Sequence, residues 1–565
     1  MASQKERTLL FVRTVRHLRP TQIVHRARLR AQLGVIRRAP FLAHFLTARR
    51  RGRVGWPADF APLDLRRAYP SRDAELLAAG KFRLLGEERE LGNPPDWQHT
   101  SQSRLWRFRL HDFEWSFVFA QHADREWSRR EFRRLWDSWR TTVRFGDRDA
   151  WAPYVASLRA WALLCVFDRL IRGSPLEPAY VDELALHTGF VRAHLERDVA
   201  GNHLIKNLKA LLGLGIFLND RLLSSRALHG LVDAARSQVL RDGGHYERSP
   251  SYHCQVLGDL IDSRELARSA DLVRSDELDQ IISKMRLWLG AVLLPDGDVP
   301  LFNDCTLVGP DEIALLAPIQ PEPSRLVVLE PSGYVVARPN ERLHLVLDVG
   351  PPCPPELPAH AHADCLSFEL AVDGRRLLVD TGTSTYDAGC RRQYERSTSA
   401  HNTLEVDGQD QSEVWSVFRT ARRAVPKLES AEVHTEEVVV SASHTGYRRL
   451  PGRPAHRRTW QVTANRVVIF DELLGSGHHH AVARLHLAPG LDATRDGSDV
   501  QIGPLTIGSS VPLFIEREMV ATGFNELWPS HVVSAELEQG LPICVTTEIR
   551  LDESEPERSR CGMVG

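Results

Sequence analysis

The sequence predicts a multidomain α and β protein, with a helical domain first and an antiparallel β-sandwich after it. Three observations carry this expectation. From about residue 100 to 320, apolar residues recur three and four apart, the period of one helix face. After about residue 325 they alternate in short runs broken by turn residues, the period of half-buried strands. Between the two lies PIQPEPSRL, around 318–326, a proline-bearing stretch that suits a boundary. At 565 residues the chain is too long for one ordinary core, so two or three domains are expected.

Taken in order, the first 53 residues are rich in arginine (RHLRP, RARLRAQ, RRRGR). The favoured reading is a basic, solvated helix face packed on the domain that follows, and the other reading is a helix for a membrane surface or an anionic partner. Residues 1–100 are assigned to this N-terminal basic helical segment and 101–322 to the helical domain. Within it, helices are predicted over Trp151–Leu164, His203–Leu218, Leu222–Val239 and Leu278–Leu294. Their short links bearing Gly, Pro or Asp suit antiparallel helical hairpins. The sandwich is assigned to 323–552. Leu343–Val349 alternates, and so do Leu366, Phe368, Leu370 and Val372. Asp373-Gly374 then supplies the hairpin turn that right-twisted strands favour, before Leu377–Val379. Further strands are predicted in Thr403–Val406, Val438–Ser441, Arg458–Val462, Arg466–Phe470, Val482–Leu487, Leu513–Ile515 and Ile543–Leu551. The tail ESEPERSRCGMVG, 553–565, is expected to be disordered.

Net charge is −1, and nothing global points to nucleic acid as a partner. The eight cysteines are scattered without a C-x-x-C pair and read as mostly reduced and buried. The N-terminus lacks an apolar h-region and a small-residue cleavage site, so no signal peptide is expected. The chain is therefore assigned to the cytoplasm or to export by a non-classical route. No window is long and apolar enough for a membrane span. Oligomeric state is not legible.

Two clusters carry chemistry. Asn202 and His203 open a helix, where Asn is also an ordinary N-cap. The run DGGHYERSPSYH contains Glu247, Arg248 and Tyr252. It is too polar for core and too aromatic for a plain loop. In the later half, His360-Ala-His362 places two imidazoles on one side of an extended segment. Asp380 ends the next strand and His401 begins another. Histidines and a carboxylate so spaced suit Zn²⁺ or Mn²⁺. The run His478–His480 reads as a solvated turn.

Together, GNHLIKNLKALL, DGGHYERSPSYH, PDGDVPLFNDC, HAHADCLSFEL with GRRLLVDTGT, RSTSAHNTLEVDG and HTGYRRLPGRPAHRR resemble the heparinase II/III-like polysaccharide lyases, in family order over roughly residues 100–490. The resemblance implies an incomplete (α/α) toroid ahead of the sheets, and β-elimination at a uronic acid of an acidic polysaccharide or oligosaccharide. It implies that Asn202 and His203 contact the carboxylate, with His203 also a base in some geometries. Tyr252 would protonate the leaving oxygen and, in syn elimination, also take the C5 proton. His360 would be the catalytic histidine. His362, Asp380 and His401 would hold one structural divalent ion. Glu247 and Arg248 would contact the sugar or support the groups that do, and Tyr447, more weakly, would contact it. Two other functions compete. One is a non-catalytic protein on the same fold that binds acidic polysaccharide or assembles exopolysaccharide. The other is a glycoside hydrolase, which needs two carboxylates flanking the bond, such as Asp242 with Glu247 or Asp304.

Overall fold

The structure is a computed structural model that describes residues 4–47 and 54–551; the expected disordered tail lies outside them. Two N-terminal helices, α1 (Gln4–Val15) and α2 (Pro20–Arg38), come first. The helical domain is then built from α3 (Arg125–Thr142), α4 (Pro153–Leu170), α5 (Glu177–Ala193), α6 (Gly201–Phe217), α7 (Arg221–Gln238), α8 (Pro250–Ser269) and α9 (Glu277–Val292). The starts follow from capping. Asp124, Asp220 and Ser249 each accept a first-turn N–H of α3, α7 and α8, and Pro153 and Pro250 supply helix-compatible first positions. Helix α6 is apolar on nearly all sides because it lies against α4, α7 and α8.

The core of this domain does not respect the expected break at residue 100. Leu63, Leu77, Phe82 and Trp97 belong to the same buried cluster as the helices, together with a short hairpin, Lys81–Leu84 with Glu87–Glu90. The basic character of the first residues does not extend through this stretch.

The last helix of this half, Pro310–Leu316, and the first strand, Leu326–Leu329, flank the proline-bearing stretch. Every strand beyond it pairs antiparallel. An eight-stranded sheet faces a second layer made of a five-stranded and a four-stranded sheet. These two join edge to edge where Leu378 bridges Leu487. Val440, Trp460 and Ile469 from the first layer and Leu345, Phe368 and Leu485 from the second share one core. The strand Glu526–Gly540 escapes alternation reading because it contains Pro529. That residue pairs only with Met519, since pairing to the other neighbour begins at Val532, so its missing N–H costs nothing. His478–His480 opens a strand instead of forming a turn, and His479 is buried against Asp407 at 2.7 Å.

Arg458 ties the layers together. It is buried, grips Asp471 through two bonds of 2.7 and 2.8 Å, and donates to the Leu366 carbonyl at 2.9 Å. His456 also bonds Asp471 at 2.7 Å. Burial alone would raise the Asp471 pKa, but Arg458 and His456 pull it below the usual carboxylate range. A carboxyl whose pKa is lowered by folding stabilises the native state above its unfolded value, about 4, and that stability drains as pH falls. Asp471→Ala should cost about 3–5 kcal/mol in urea unfolding at neutral pH, because it strands a buried guanidinium. The gap to the parent protein should narrow on acidification.

Candidate active site

The site lies where the start of α6, the start of α8 and the loop 357–367 meet. Ala200 and Gly201 both have positive φ, +57° and +53°, and bend the chain sharply into α6. A Cβ at Gly201 would sit 1.9 Å from Glu247 Oε1, so this position must be glycine. The turn delivers Asn202 to Glu247. The Asn202 backbone N–H donates to Oε1 at 2.8 Å and its Nδ2 to Oε2 at 2.9 Å. A carboxylate only accepts, so the amide orientation follows, and Oδ1 is left buried without a protein partner. Burial would raise the Glu247 pKa, but His245, His360 and the two Asn202 donors hold it below the ordinary value. Glu247 therefore stays ionised, 3.5 Å from His360 Nε2.

His203 stacks on Tyr154 at 4.2 Å and its Nδ1 bonds Glu196 at 3.1 Å. Burial disfavours its charge, but Glu196, helped by Glu247 and Asp198, raises the pKa above the ordinary value. About 32 % of the side chain is exposed. Tyr252, on the first turn of α8, lays its ring on that of His360 at 4.0 Å, and its hydroxyl meets the Tyr386 hydroxyl at 3.0 Å. Burial and the nearby Asp304 charge raise its pKa, while the Tyr386 bond works against them. The phenol keeps its proton at neutral pH.

Asp304 joins the parts. Its Oδ2 meets His360 Nδ1 at 3.0 Å and its Oδ1 meets His362 Nε2 at 2.9 Å. Arg392 grips both oxygens, at 2.5 and 2.8 Å. Despite burial, these partners hold the carboxyl well below its usual range. The Asp304 contact assigns the proton to His360 Nδ1 and turns Nε2 toward Glu247 and the cleft. Behind this set, His362, Asp364 and His401 form a buried cluster whose nearest donor atoms all lie within 4.8 Å of one another. His362 Nδ1, His401 Nε2 and both Asp364 oxygens are buried without partners. Such orphaned donors fit a divalent ion.

The expected residues are thus divided. Asn202, His203, Tyr252 and His360 gather in one place. His362 and His401 share the cluster, but Asp380 stands one step back, its Oδ2 bonded to His401 Nδ1 at 2.7 Å. Asp364 stands in the cluster where Asp380 was expected, and Asp380 bonds the His401 ring from behind. Asn202 commits both its backbone N–H and its amide N–H to Glu247, and its Oδ1 is buried. Glu247 is a buried bridge between Asn202 and His360 and not a surface contact for sugar. Arg248 is spent elsewhere: it donates to the carbonyls of Tyr246, Pro331 and Ser332 at 3.2–3.3 Å, and clips the helical domain to the first sheet. Tyr447 is fully buried and donates to the Leu404 carbonyl at 2.6 Å, so it cannot touch a substrate. Asp242, the other carboxylate considered, accepts from Ser332 at that same junction.

A cavity of about 250 Å³ opens beside the site. Tyr154 and Ser251 line it, and so do Arg109, Glu114, Lys206 and Asp259. Its charges are paired, Arg109 with Glu114 at 2.6 Å and Lys206 with Asp259 at 2.9 Å. Tyr252 and His360 flank this cavity without lining it.

Comparison with known proteins decides the lineage. The family profile "Heparinase II/III N-terminus" matches residues 87–314, and "Heparinase II/III-like, C-terminal" matches 321–554. The chain belongs to the heparinase II/III-like family. Its fold is that of the solved "Crystal Structure of Heparinase III", with a TM-score of 0.75, 16 % identity and coverage of 91 % of this chain and 90 % of that one. Heparan sulfate lyase HepC from Pedobacter heparinus aligns with a TM-score of 0.59 and 19 % identity over 94 % of this chain and 89 % of that one. The helical half is thus the incomplete (α/α) toroid of these proteins, and the second half their β-sandwich. Among curated sequences, FtsZ-localized protein C of Caulobacter vibrioides is 27 % identical over 79 % of this chain and 81 % of its own length. The heparin-sulfate lyase of Pedobacter heparinus is 22 % identical, and the match spans about half of each chain, 54 % of this one and 52 % of that one.

Two substitutions test the reassigned residues. Arg248→Ala should lower stability by about 1–3 kcal/mol by releasing the junction. Tyr447→Phe should cost about 1 kcal/mol by leaving the Leu404 carbonyl unpaired. Neither should alter the binding of a uronate oligosaccharide measured by calorimetry.

Proposed function

We propose that the protein is a polysaccharide lyase that cleaves a uronic-acid-containing polymer by β-elimination and leaves a 4,5-unsaturated uronate end. The observation that carries this reading is the stacking of Tyr252, from the toroid, on His360, from the sandwich. A phenol that keeps its proton beside an imidazole held at Nδ1 is an acid next to a base. The C5 proton of a uronate is weakly acidic, so the charge that builds on its carboxylate must be offset. His203, whose pKa Glu196 raises, supplies that offset in its cationic form. His360 Nε2 takes the C5 proton. The C5–H electron pair becomes the C4–C5 double bond, the C4–O4 bond breaks, and Tyr252 delivers its proton to O4. The proton then held by His360 returns to the neighbouring phenolate, which restores the starting state.

The substrate class on this reading is the glycosaminoglycans, such as hyaluronan, chondroitin or heparan sulfate, and alginate. The adjoining cavity favours the sparsely sulfated members. Its acids and bases neutralise one another, which suits sugar hydroxyls better than sulfate groups. A second reading, a non-catalytic role in binding acidic polysaccharide or assembling exopolysaccharide, is kept open by the relative whose name refers to localisation with FtsZ and to no lyase activity. The absorbance of unsaturated products separates the two. With a panel of these polymers, the wild type should generate ultraviolet-absorbing ends and Tyr252→Phe none. Tyr386→Phe should slow turnover by about tenfold and shift its pH profile, because the phenol loses a hydrogen-bond partner. Activity should fall as pH rises through the elevated His203 pKa, since the cation is then lost. A folded wild type silent on every polymer would favour the binding reading.

We also infer one divalent ion, Zn²⁺ or Mn²⁺, held by His362, Asp364 and His401, with Asp380 orienting His401. It would brace the loop that carries His360, and no step above runs through it. Elemental analysis should give close to one ion per chain in the wild type and none in Asp364→Ala. Asp380→Asn should weaken affinity by about 10–100-fold without changing the stoichiometry. Full metal in Asp364→Ala would return the ligand role to Asp380.

A further inference from the structure

The N-terminal helices are apolar on two sides: Leu33 and Ile36 pack on the helical core, and a second set of large apolar side chains faces out. In α1 and α2 many of the side chains turned toward the body are polar. Gln22 is buried and donates to the carbonyl of Asp198 at 3.0 Å, and Arg26 pairs with Asp198 at 3.1 Å. Thr14 is buried and accepts from Trp415 at 3.0 Å, and Arg13 pairs with Glu413 at 2.7 Å. The apolar side chains turned outward are large: Leu9, Phe11 and Val12 on α1 are 50–59 % exposed, and Ile23, Val24 and Val35 on α2 are 46–66 % exposed. On α2 the stripe runs on through Ala27 and Ala31, which are also exposed, at helical spacing from Val24 to Val35. Ile36 alone on α2 turns an apolar side chain fully into the body. A soluble surface helix keeps its outer face polar.

Charge identifies what covers this face. Residues 4–47 hold ten Lys and Arg and one acid, Glu6, in a chain whose net charge is −1. Arg28, Arg30, Arg37 and Arg38 are exposed and flank the apolar stripe. An apolar stripe bordered by arginines matches the boundary between headgroups and acyl chains of an anionic bilayer, where the stripe enters the hydrocarbon and the cations meet lipid phosphates. No helix among the described residues is long and apolar enough to cross a membrane. We propose that α1 and α2 dock the protein peripherally on an anionic membrane surface. The docking is tied to the site, because the same helices grip the segments that carry it. Gln22 and Arg26 hold Asp198, four residues before Asn202, and Arg19 pairs with Glu356, four residues before His360. The mouth of the cleft is thereby kept at a fixed distance from the lipid.

The test uses the full chain and sedimentation with vesicles. The wild type should bind phosphatidylglycerol-containing vesicles at least about tenfold more tightly than pure phosphatidylcholine vesicles, and high salt should weaken that binding. Val12→Glu with Val24→Glu should abolish it, as should Arg28→Glu with Arg30→Glu. All four positions lie on the outer face, so folding and turnover of a soluble oligosaccharide should be unchanged. Failure of the wild type to sediment with either vesicle overturns the proposal. So does equal binding to both vesicles, or a wild type that dimerises in solution through this face and leaves vesicles alone.

Discussion

The carboxylate of Asp304 is the constraint on which the site depends. It is buried, ionised and held by Arg392 in a two-pronged grip. Asp304 lies near the end of the helical half, and the side chains bonded to its carboxylate belong to the other half. His360 takes one oxygen, His362 the other, and Thr383 stands at 3.4 Å. One side chain therefore bears on the relative placement of two domains, the tautomer of the histidine facing the cleft and one corner of the cluster proposed to hold a metal. Its neighbour Asn303 adds to this. It tolerates φ of +59°, as Asn does, and accepts from the His362 N–H while donating to the Arg248 carbonyl. A buried charge bound this way is costly to disturb, since loss of any partner leaves an ion unpaired in a dry interior.

The fold was largely legible because its signals are local. Apolar spacing located α4, α6, α7 and α9, and alternation with Asp373-Gly374 located the central hairpin. The failures have physical causes. Residues 54–100 were assigned to the basic N-terminal segment yet supply Phe82 and Trp97 to the helical core, a long-range contact that no window shows. In the site, the four residues nearest the proposed chemistry stood out because their segments are polar where core is expected. Asp304, Tyr386 and Arg392 were missed as partners because each acts across the domain junction, at sequence distances that periodicity does not reach. Asp364 was the avoidable omission. It lies two residues after His362, so the same extended-chain argument that paired His360 with His362 reaches it. Arg248 and Tyr447 erred the other way: both have sugar-binding chemistry, but main-chain carbonyls absorb it.

The N-terminal helices show that exposure has to be weighed by chemistry. The arginines are solvated, as composition predicts, and a helix face does meet the body. The sequence reading did not specify which face. Gln22 and Thr14 are buried while Val12 and Val24 are not, because the protein surface they meet offers Asp198, Glu413 and the Trp415 indole. Those groups need hydrogen-bond partners, and an apolar face would leave them unsatisfied. Part of the apolar set is thus turned outward by the demands of the inner surface, and the proposed membrane contact would relieve the cost.

The electrostatics of the cleft also discriminate among proton acceptors. Three groups are candidates for taking the C5 proton, namely His203, Tyr252 and His360. Glu196 pushes His203 toward the charged form, which has no lone pair to offer and is better matched to a carboxylate. Tyr252 is pushed the other way, by burial and by the Asp304 charge, so a phenolate is scarce before substrate arrives. His360 remains, with Nδ1 committed to Asp304 and Nε2 directed at the cleft, 3.5 Å from an ionised Glu247. Glu247 is a poor candidate for the base, because each of its oxygens accepts a bond from Asn202 and its pKa is lowered. In the proposed elimination its negative charge would stabilise His360 as that residue becomes positive. Asn202 holds Glu247 fixed, which on this reading makes it a positioning residue.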